Sequence, residues 1–303
     1  MIVVKDFSGW HEYEGASEGS GRSEKIWLED DNGRVGLFKY PKTDPSTGRE
    51  TTEHISEHLA HQIGNILGVA TADVDIGIRN GRIGSMSYQI NKPNELILEG
   101  INFVSRSFPN YDANIMVDIS TKKYYSIEHI FHSTEGWVNK EPWIEMMLFD
   151  FLIGNADRHQ SNWAILVSIF EDEPLVNVGR CPLYDNGSSL CCYVNDDQLN
   201  GLLGKDKRQF DSLADSKSKS IIRVDSISRQ KPKHSDVVRY LLKTYPKTYD
   251  IGTRFINKLN ASKIDDLMDR YQPDILDSRK NELIRRFLKR KLEILKNLIM
   301  GES

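Results

Sequence analysis

The sequence predicts an α+β fold in two parts, a small mainly β N-terminal part with one helix (residues 1–92) and a larger, mainly helical C-terminal part (93–303). Three observations point there. The first ninety residues read in the order strand, strand, helix, strand, strand; the texture changes after Lys92-Pro93; and the chain ends in a long amphipathic segment.

Lys25 to Leu28 and Val35 to Tyr40 are short strand-like runs around the turn signal Asp31-Asn32-Gly33, which predicts a hairpin. A helix should follow Thr51 or Thr52 as N-cap, because Ile55, Leu59, Ile63 and Leu67 recur every fourth residue and Gly68 can close it. Val74 to Ile78 and Ile83 to Ile90 then flank a second turn at Asn80-Gly81.

In the second part the most apolar helix is expected over Pro142 to Ile153, with proline suited to its first position and Gly154 just past its end. Trp143, Ile144, Met147, Leu148, Phe151 and Leu152 cover more than one face, so this helix should be buried. Trp163 to Phe170 and Leu175 to Tyr184, joined by Glu171-Asp172-Glu173-Pro174, read as a second hairpin. Lys205 to His234 is rich in Lys, Ser, Asp and Arg without apolar period and reads as a mobile loop. From Ser278 to Met300 a stripe of Leu283, Phe287, Leu288, Leu292, Leu295 and Ile299 predicts a long helix. Its Arg285, Arg286, Lys289 and Arg290 could bind an acidic partner, but a solvated outer face is the expected reading.

A net charge of -4 leaves no overall cationic field, so direct nucleic-acid binding is not expected. No apolar run reaches a membrane span, and the N-terminus meets acidic residues too soon for a signal peptide. The three cysteines, Cys181, Cys191 and Cys192, lack zinc-site spacing, and their odd number fits a reduced, cytoplasmic setting.

The strongest chemical signal is Asp157-Arg158-His159-Gln160-Ser161-Asn162 behind the apolar helix. An Asp and an Asn five residues apart match a kinase catalytic loop, in which the Asp accepts the proton of the substrate hydroxyl and the Asn holds Mg²⁺. Tyr184-Asp185-Asn186-Gly187 follows at the expected end of the second hairpin, and its Asp-x-Gly form matches the metal-binding Asp of kinases. Asn162 and Asp185 would then be a two-ligand magnesium platform, since Mg²⁺ takes few protein oxygens beside phosphates and water. Taken singly, Asp-Arg-His could be a surface ion pair and Asp-Asn-Gly a plain hairpin turn. Together and in order they point to catalysis.

Two N-terminal features fit the same chemistry. Lys39, in Val35-Gly36-Leu37-Phe38-Lys39, resembles the strand lysine that contacts nucleotide phosphates, with Glu57 as its ion-pair partner and Glu53 as the alternative one turn earlier. The segment 14–23 contains Gly19, Ser20 and Gly21, small residues that let backbone N–H groups approach phosphate oxygens, although it equally suits a flexible turn.

These residues carry a family resemblance. Asp157-Arg158-His159-x-x-Asn162 followed by Tyr184-Asp185, with Glu57 through Gly68 in the family's order, resembles the HipA-like serine/threonine kinases, and the short lead before the glycine-serine segment resembles their compact members. The resemblance implies a bilobal, protein-kinase-like fold with ATP between the lobes and adenine against the linker Ser87, Tyr88, Gln89 and Ile90. It gives His159 the position of a histidine that assists proton transfer in lipid-kinase relatives, a position that a loop-shaping hydrogen bond would equally explain. It further implies autophosphorylation on a loop serine, for which Ser17, Ser20 and Ser23 are the candidates. The expected partners are a protein substrate, an aminoacyl-tRNA synthetase among the candidates, and an antitoxin or inhibitor protein of a toxin–antitoxin system. Two other readings stay open from sequence: a lipid or small-molecule kinase, for which Lys205 to Lys233 would be the membrane-facing surface, and a non-catalytic nucleotide-binding scaffold.

Overall fold

Two short β-turns organise the N-terminal sheet. In the computed structural model, which describes residues 1–15, 24–45, 47–169 and 177–301, Asp30 Oδ1 accepts the N–H groups of Asn32 and Arg34. Gly33 follows at φ 77°, a left-handed position that glycine adopts at no steric cost. The turn joins β3 (Lys25–Glu29) to β4 (Val35–Lys39). Asn80 and Gly81, both at positive φ, join β5 (Val74–Arg79) to β6 (Arg82–Tyr88), as an Asn-Gly hairpin requires. With β1 (Lys5–Asp6) and β2 (His11–Glu12) they form a six-stranded sheet in the order β1-β5-β6-β4-β3-β2, in which only the β1–β5 pair is parallel.

Helix α1 (Glu53–Leu67) lies between β4 and β5 in the chain and ends at Gly68 in the left-handed conformation. Its Ile55, Leu59, Ile63 and Leu67 enter the main core, as their spacing predicts. A second, smaller core of Phe7, Leu28, Phe38, Tyr40, Met86 and Tyr88 is built by the sheet.

The following strand, β7 (Glu95–Glu99), has its partner far along the chain. It pairs antiparallel with β11 (Ala164–Ser168), which also pairs with β12 (Asn177–Arg180). The expected hairpin is therefore part of a three-stranded sheet. Its second strand stops at Arg180, not at Tyr184, because Pro182 has no N–H to give the ladder. The expected turn 171–174 lies outside the described residues.

Between β7 and β11 come α2 (Gly100–Ser107), three two-residue strands β8 to β10 (Tyr111–Asp112, Val117–Asp118, Lys123–Tyr124), α3 (Ile127–Ser133) and α4 (Glu141–Ile153). α4 has Pro142 in its first turn and Gly154 as its left-handed C-cap. It is apolar all round and buried all round, and each large side chain removed from water contributes about 1.5–3 kcal/mol.

Residues 205–234 correct the expectation of a loop. They include α6 (Lys207–Asp211), which follows α5 (Asp196–Leu203), and a π-helical turn (Ser212–Ser216). Ser218, Ser220, Ile221, Ile222 and Arg223 are all buried. Ile221 and Ile222 reach the core as adjacent residues on a bent, non-helical stretch, so no period announces them. Helices α7 (His234–Thr244), α8 (Lys247–Lys258) and α9 (Ala261–Met268) lead to α10 (Ser278–Met300), which packs against α4 and α7 to α9. Its basic outer face is held in ion pairs, Arg285 and Lys289 with Asp265 and Arg286 with Glu282. No helix among the described residues is long and apolar enough to cross a membrane.

Candidate active site

Lys39, at the end of β4, reaches two carboxylates from distant parts of the chain. Its Nζ lies 2.8 Å from Asp185 Oδ1 and 3.4 Å from Glu57 Oε1. Burial works against the ammonium, but the two negative charges outweigh it and hold Lys39 above its usual range. Lys39 in turn holds the Asp185 carboxyl well below the usual carboxylate range. Glu57 is raised by its own burial, with Lys39 and the Asn186 N–H opposing. Glu53, the alternative partner, is committed elsewhere, to Lys42 and Tyr193.

Arg158 organises the loop from behind. It is 1% exposed, and its guanidinium holds Asp150 of α4 through Nε and Nη2. Its Nη1 donates to the carbonyls of Asn162 and Tyr184, and Nη2 also donates to Asn186 Oδ1 at 2.6 Å. One side chain thus joins α4, the loop 155–162 and the segment 184–186. Asp185 sits between these anchors at φ 54°, a conformation costing an L-residue roughly 1–2 kcal/mol. Sequence reasoning passed over Asp150, yet an aspartate between Phe149 and Phe151 in an apolar helix signals a buried cation nearby.

Within the loop, Asp157 donates its N–H to Asn155 Oδ1, and its carbonyl accepts from Asn162 Nδ2 at 2.8 Å. That bond ties down the Nδ2 side of the Asn162 amide, so Oδ1 is the atom it could offer to a cation. Burial pushes the Asp157 carboxyl above the ordinary aspartate range, Asp185 adds to this, and His159 and Lys42 oppose it. His159 Nδ1 accepts the Ser161 N–H at 3.2 Å, a loop-shaping bond that leaves Nε2 to carry the proton of the neutral ring.

A cavity of about 360 Å³ brings these parts together. Lys39, His159, Asn162 and Asp185 lie along it, with Leu37, Ile97 and Tyr184 among its walls. Asp157 is not among the lining residues. Ser87, Tyr88, Gln89 and Ile90 border the same cavity, but the Tyr88 phenol bonds Asp75 and its ring lies beneath the Arg34 guanidinium. Tyr88 therefore presents main chain to the cavity. Gly19, Ser20 and Gly21, and the candidate serines Ser17, Ser20 and Ser23, lie outside the described residues.

The donor set suits magnesium with a nucleotide. Among the described residues no group of three or more His, Cys, Asp or Glu could hold a metal. A neutral amide oxygen and one ionised carboxylate beside a lysine fit a hard cation that shares its shell with phosphates and water.

No family model matches the chain. It is 24% identical over 274 residues to the serine/threonine-protein kinase CtkA of Helicobacter pylori, an alignment covering 81% of this chain and 78% of the relative. The crystal structure of the H. pylori proinflammatory kinase CtkA superposes with a TM-score of 0.79 at 17% identity, covering 99% of this chain and all of that one. HipA of Shewanella oneidensis, solved as a toxin–antitoxin complex with HipB and operator DNA, matches at a TM-score of 0.56 and 14% identity over 96% of this chain and 68% of that one.

Proposed function

We propose that the chain, homologous to the serine/threonine kinase CtkA and sharing the fold of CtkA and HipA, is a HipA-like serine/threonine kinase that transfers the γ-phosphoryl group of Mg-ATP to a protein hydroxyl. The observation that carries this is the meeting of Lys39, Asp185 and Asn162 along one cavity, with Asp157 held to Asn162. Bound Mg-ATP supplies the phosphoryl group and neutralises its charge.

The chain's residues divide the remaining work. Lys39 orients the phosphates with its ammonium while Glu57 keeps that ammonium in place. Asn162 Oδ1 and the Asp185 carboxylate would hold the metal. The main chain from Ser87 to Ile90 borders the adenine. As the substrate oxygen bonds to phosphorus and the bond to the ADP oxygen breaks, the hydroxyl proton passes to the Asp157 carboxylate. His159, which lines the cavity, shapes the loop through Ser161.

The reading extends, by the resemblance of the sequence to HipA-like kinases, to autophosphorylation of Ser17, Ser20 or Ser23 and to a component of translation as substrate, and, by analogy with the HipA complex with HipB, to an antitoxin-like protein as inhibitor. Incubating the protein with labelled ATP and Mg²⁺, alone and with cell lysate, tests the proposal. Label on protein supports it, and label in the lipid fraction or nowhere contradicts it.

A further inference from the structure

A line of polar side chains that the mechanism above does not use, none of them among the residues that line the cavity, reaches the loop at Asn155. Lys291 on α10 is 1% exposed and His234 at the start of α7 is 2% exposed. Lys291 Nζ lies 2.7 Å from Ser218 Oγ, Ser218 Oγ lies 3.0 Å from His234 Nδ1, and His234 Nε2 lies 2.8 Å from the carbonyl oxygen of Asn155.

Hydrogen-bond chemistry allows one direction along this line. The Asn155 carbonyl can only accept, so Nε2 carries the imidazole proton. In a neutral ring Nδ1 then accepts, and the Ser218 hydroxyl must donate to it. Ser218 Oγ keeps lone pairs for Lys291, which donates whether it is an ammonium or an amine. Burial keeps the ring neutral, pushing His234 down to about 3, and pushes Lys291 down to about 7. Around Lys291 the π-helical turn presents Asp215, the segment that follows Tyr184–Asn186 presents Cys191, and the rings of Phe151 and Phe287 lie 4.5 Å and 5.4 Å away.

The receiving residue reaches both ends of the catalytic apparatus. Asn155 is 1% exposed; its Nδ2 and N–H bond Asp150, and its Oδ1 accepts the N–H of Asp157. We infer that Lys291, Ser218 and His234 are positioning residues, a one-directional hydrogen-bond relay from the C-terminal helix that sets Asn155 and through it the placement of Asp157. The inference rests on the phosphotransfer reading for its effect on rate, and on geometry alone for the relay. The C-terminal helix thereby acts on a loop more than a hundred residues earlier without touching substrate.

Two measurements test it. In protein labelled at histidine, with His234 assigned by loss of its signal in His234→Gln, ¹⁵N NMR should show a neutral ring with the proton on Nε2. A proton on Nδ1 or an imidazolium at neutral pH overturns the relay, whether or not the enzyme transfers phosphate. In phosphotransfer assays, Ser218→Ala, Lys291→Met and His234→Leu should lower kcat by about tenfold to a hundredfold with KM for ATP nearly unchanged, and His234→Gln, which keeps an N–H for Asn155, should recover part of it. Full kcat in folded Ser218→Ala and Lys291→Met would overturn the positioning role. A wild-type protein without transfer would instead sink the phosphotransfer reading, and the NMR result would still decide the relay.

Discussion

Lys39 and Asp185 meet at 2.8 Å although 146 positions separate them in the chain. The contact closes the N-terminal sheet onto the segment after β12, and it shares its cation with Glu57, which is 4% exposed. Lys39 is therefore structural as well as a candidate phosphate ligand.

Replacing Lys39 by Met should abolish activity and also destabilise the fold, on the order of 3 kcal/mol at neutral pH, because Glu57 is left buried without its cation. The sign of the pH dependence follows. Glu57 already has a raised folded-state pKa, and losing Lys39 raises it further, so the variant is penalised above that pKa and relieved as the pH falls toward the unfolded-state value. Melting curves from pH 8 down to pH 5 should show the gap to wild type narrowing. A gap that stays constant would contradict the role given to Glu57.

Arg158 offers a second test, because its fork serves five acceptor sites at once. Arg158→Lys keeps the charge but loses the planar fork, and Arg158→Ala leaves Asp150 buried and unpaired, at a cost of about 3–5 kcal/mol. Urea unfolding should place wild type above Lys and Lys above Ala. Equal stability of the two variants would show that charge alone matters.

Gly154 ends α4 at φ 68°, and a Cβ there would meet Phe287 at 2.7 Å. Gly154→Ala should cost roughly 1–2 kcal/mol for the left-handed backbone, with the contact adding to it. Thermal unfolding checks this, and an unchanged melting temperature would contradict it.

Much of the fold was legible because it is local. The fourfold spacing in α1, the stripe of α10 and the Gly154 cap are written within a few turns of chain, and Lys39 with Glu57 follows from strand and helix order. What escaped is nonlocal. β7 finds its partner β11 across more than sixty residues, Ile221 and Ile222 are buried by neighbours rather than by period, and Asp150 is intelligible only with Arg158 in place. The line from Lys291 to Asn155 joins residues that no spacing rule connects.

The acid side of the rate profile bears on Asp157. Burial raises its carboxyl, so the base form is lost as pH falls through a value higher than the ordinary aspartate value of about 3.9. A profile of kcat/KM against pH should therefore bend downward at a pKa above that value. A limb at or below it would contradict the environment described for Asp157.

The central claim, phosphoryl transfer with Asp157 as the base, is tested most directly by comparing wild type with Asp157→Ala in labelled Mg-ATP under matched conditions, with nucleotide binding measured alongside. The account predicts labelled protein with wild type and none with Asp157→Ala, while Asp157→Ala still binds Mg-ATP. Undiminished labelling by Asp157→Ala would contradict it.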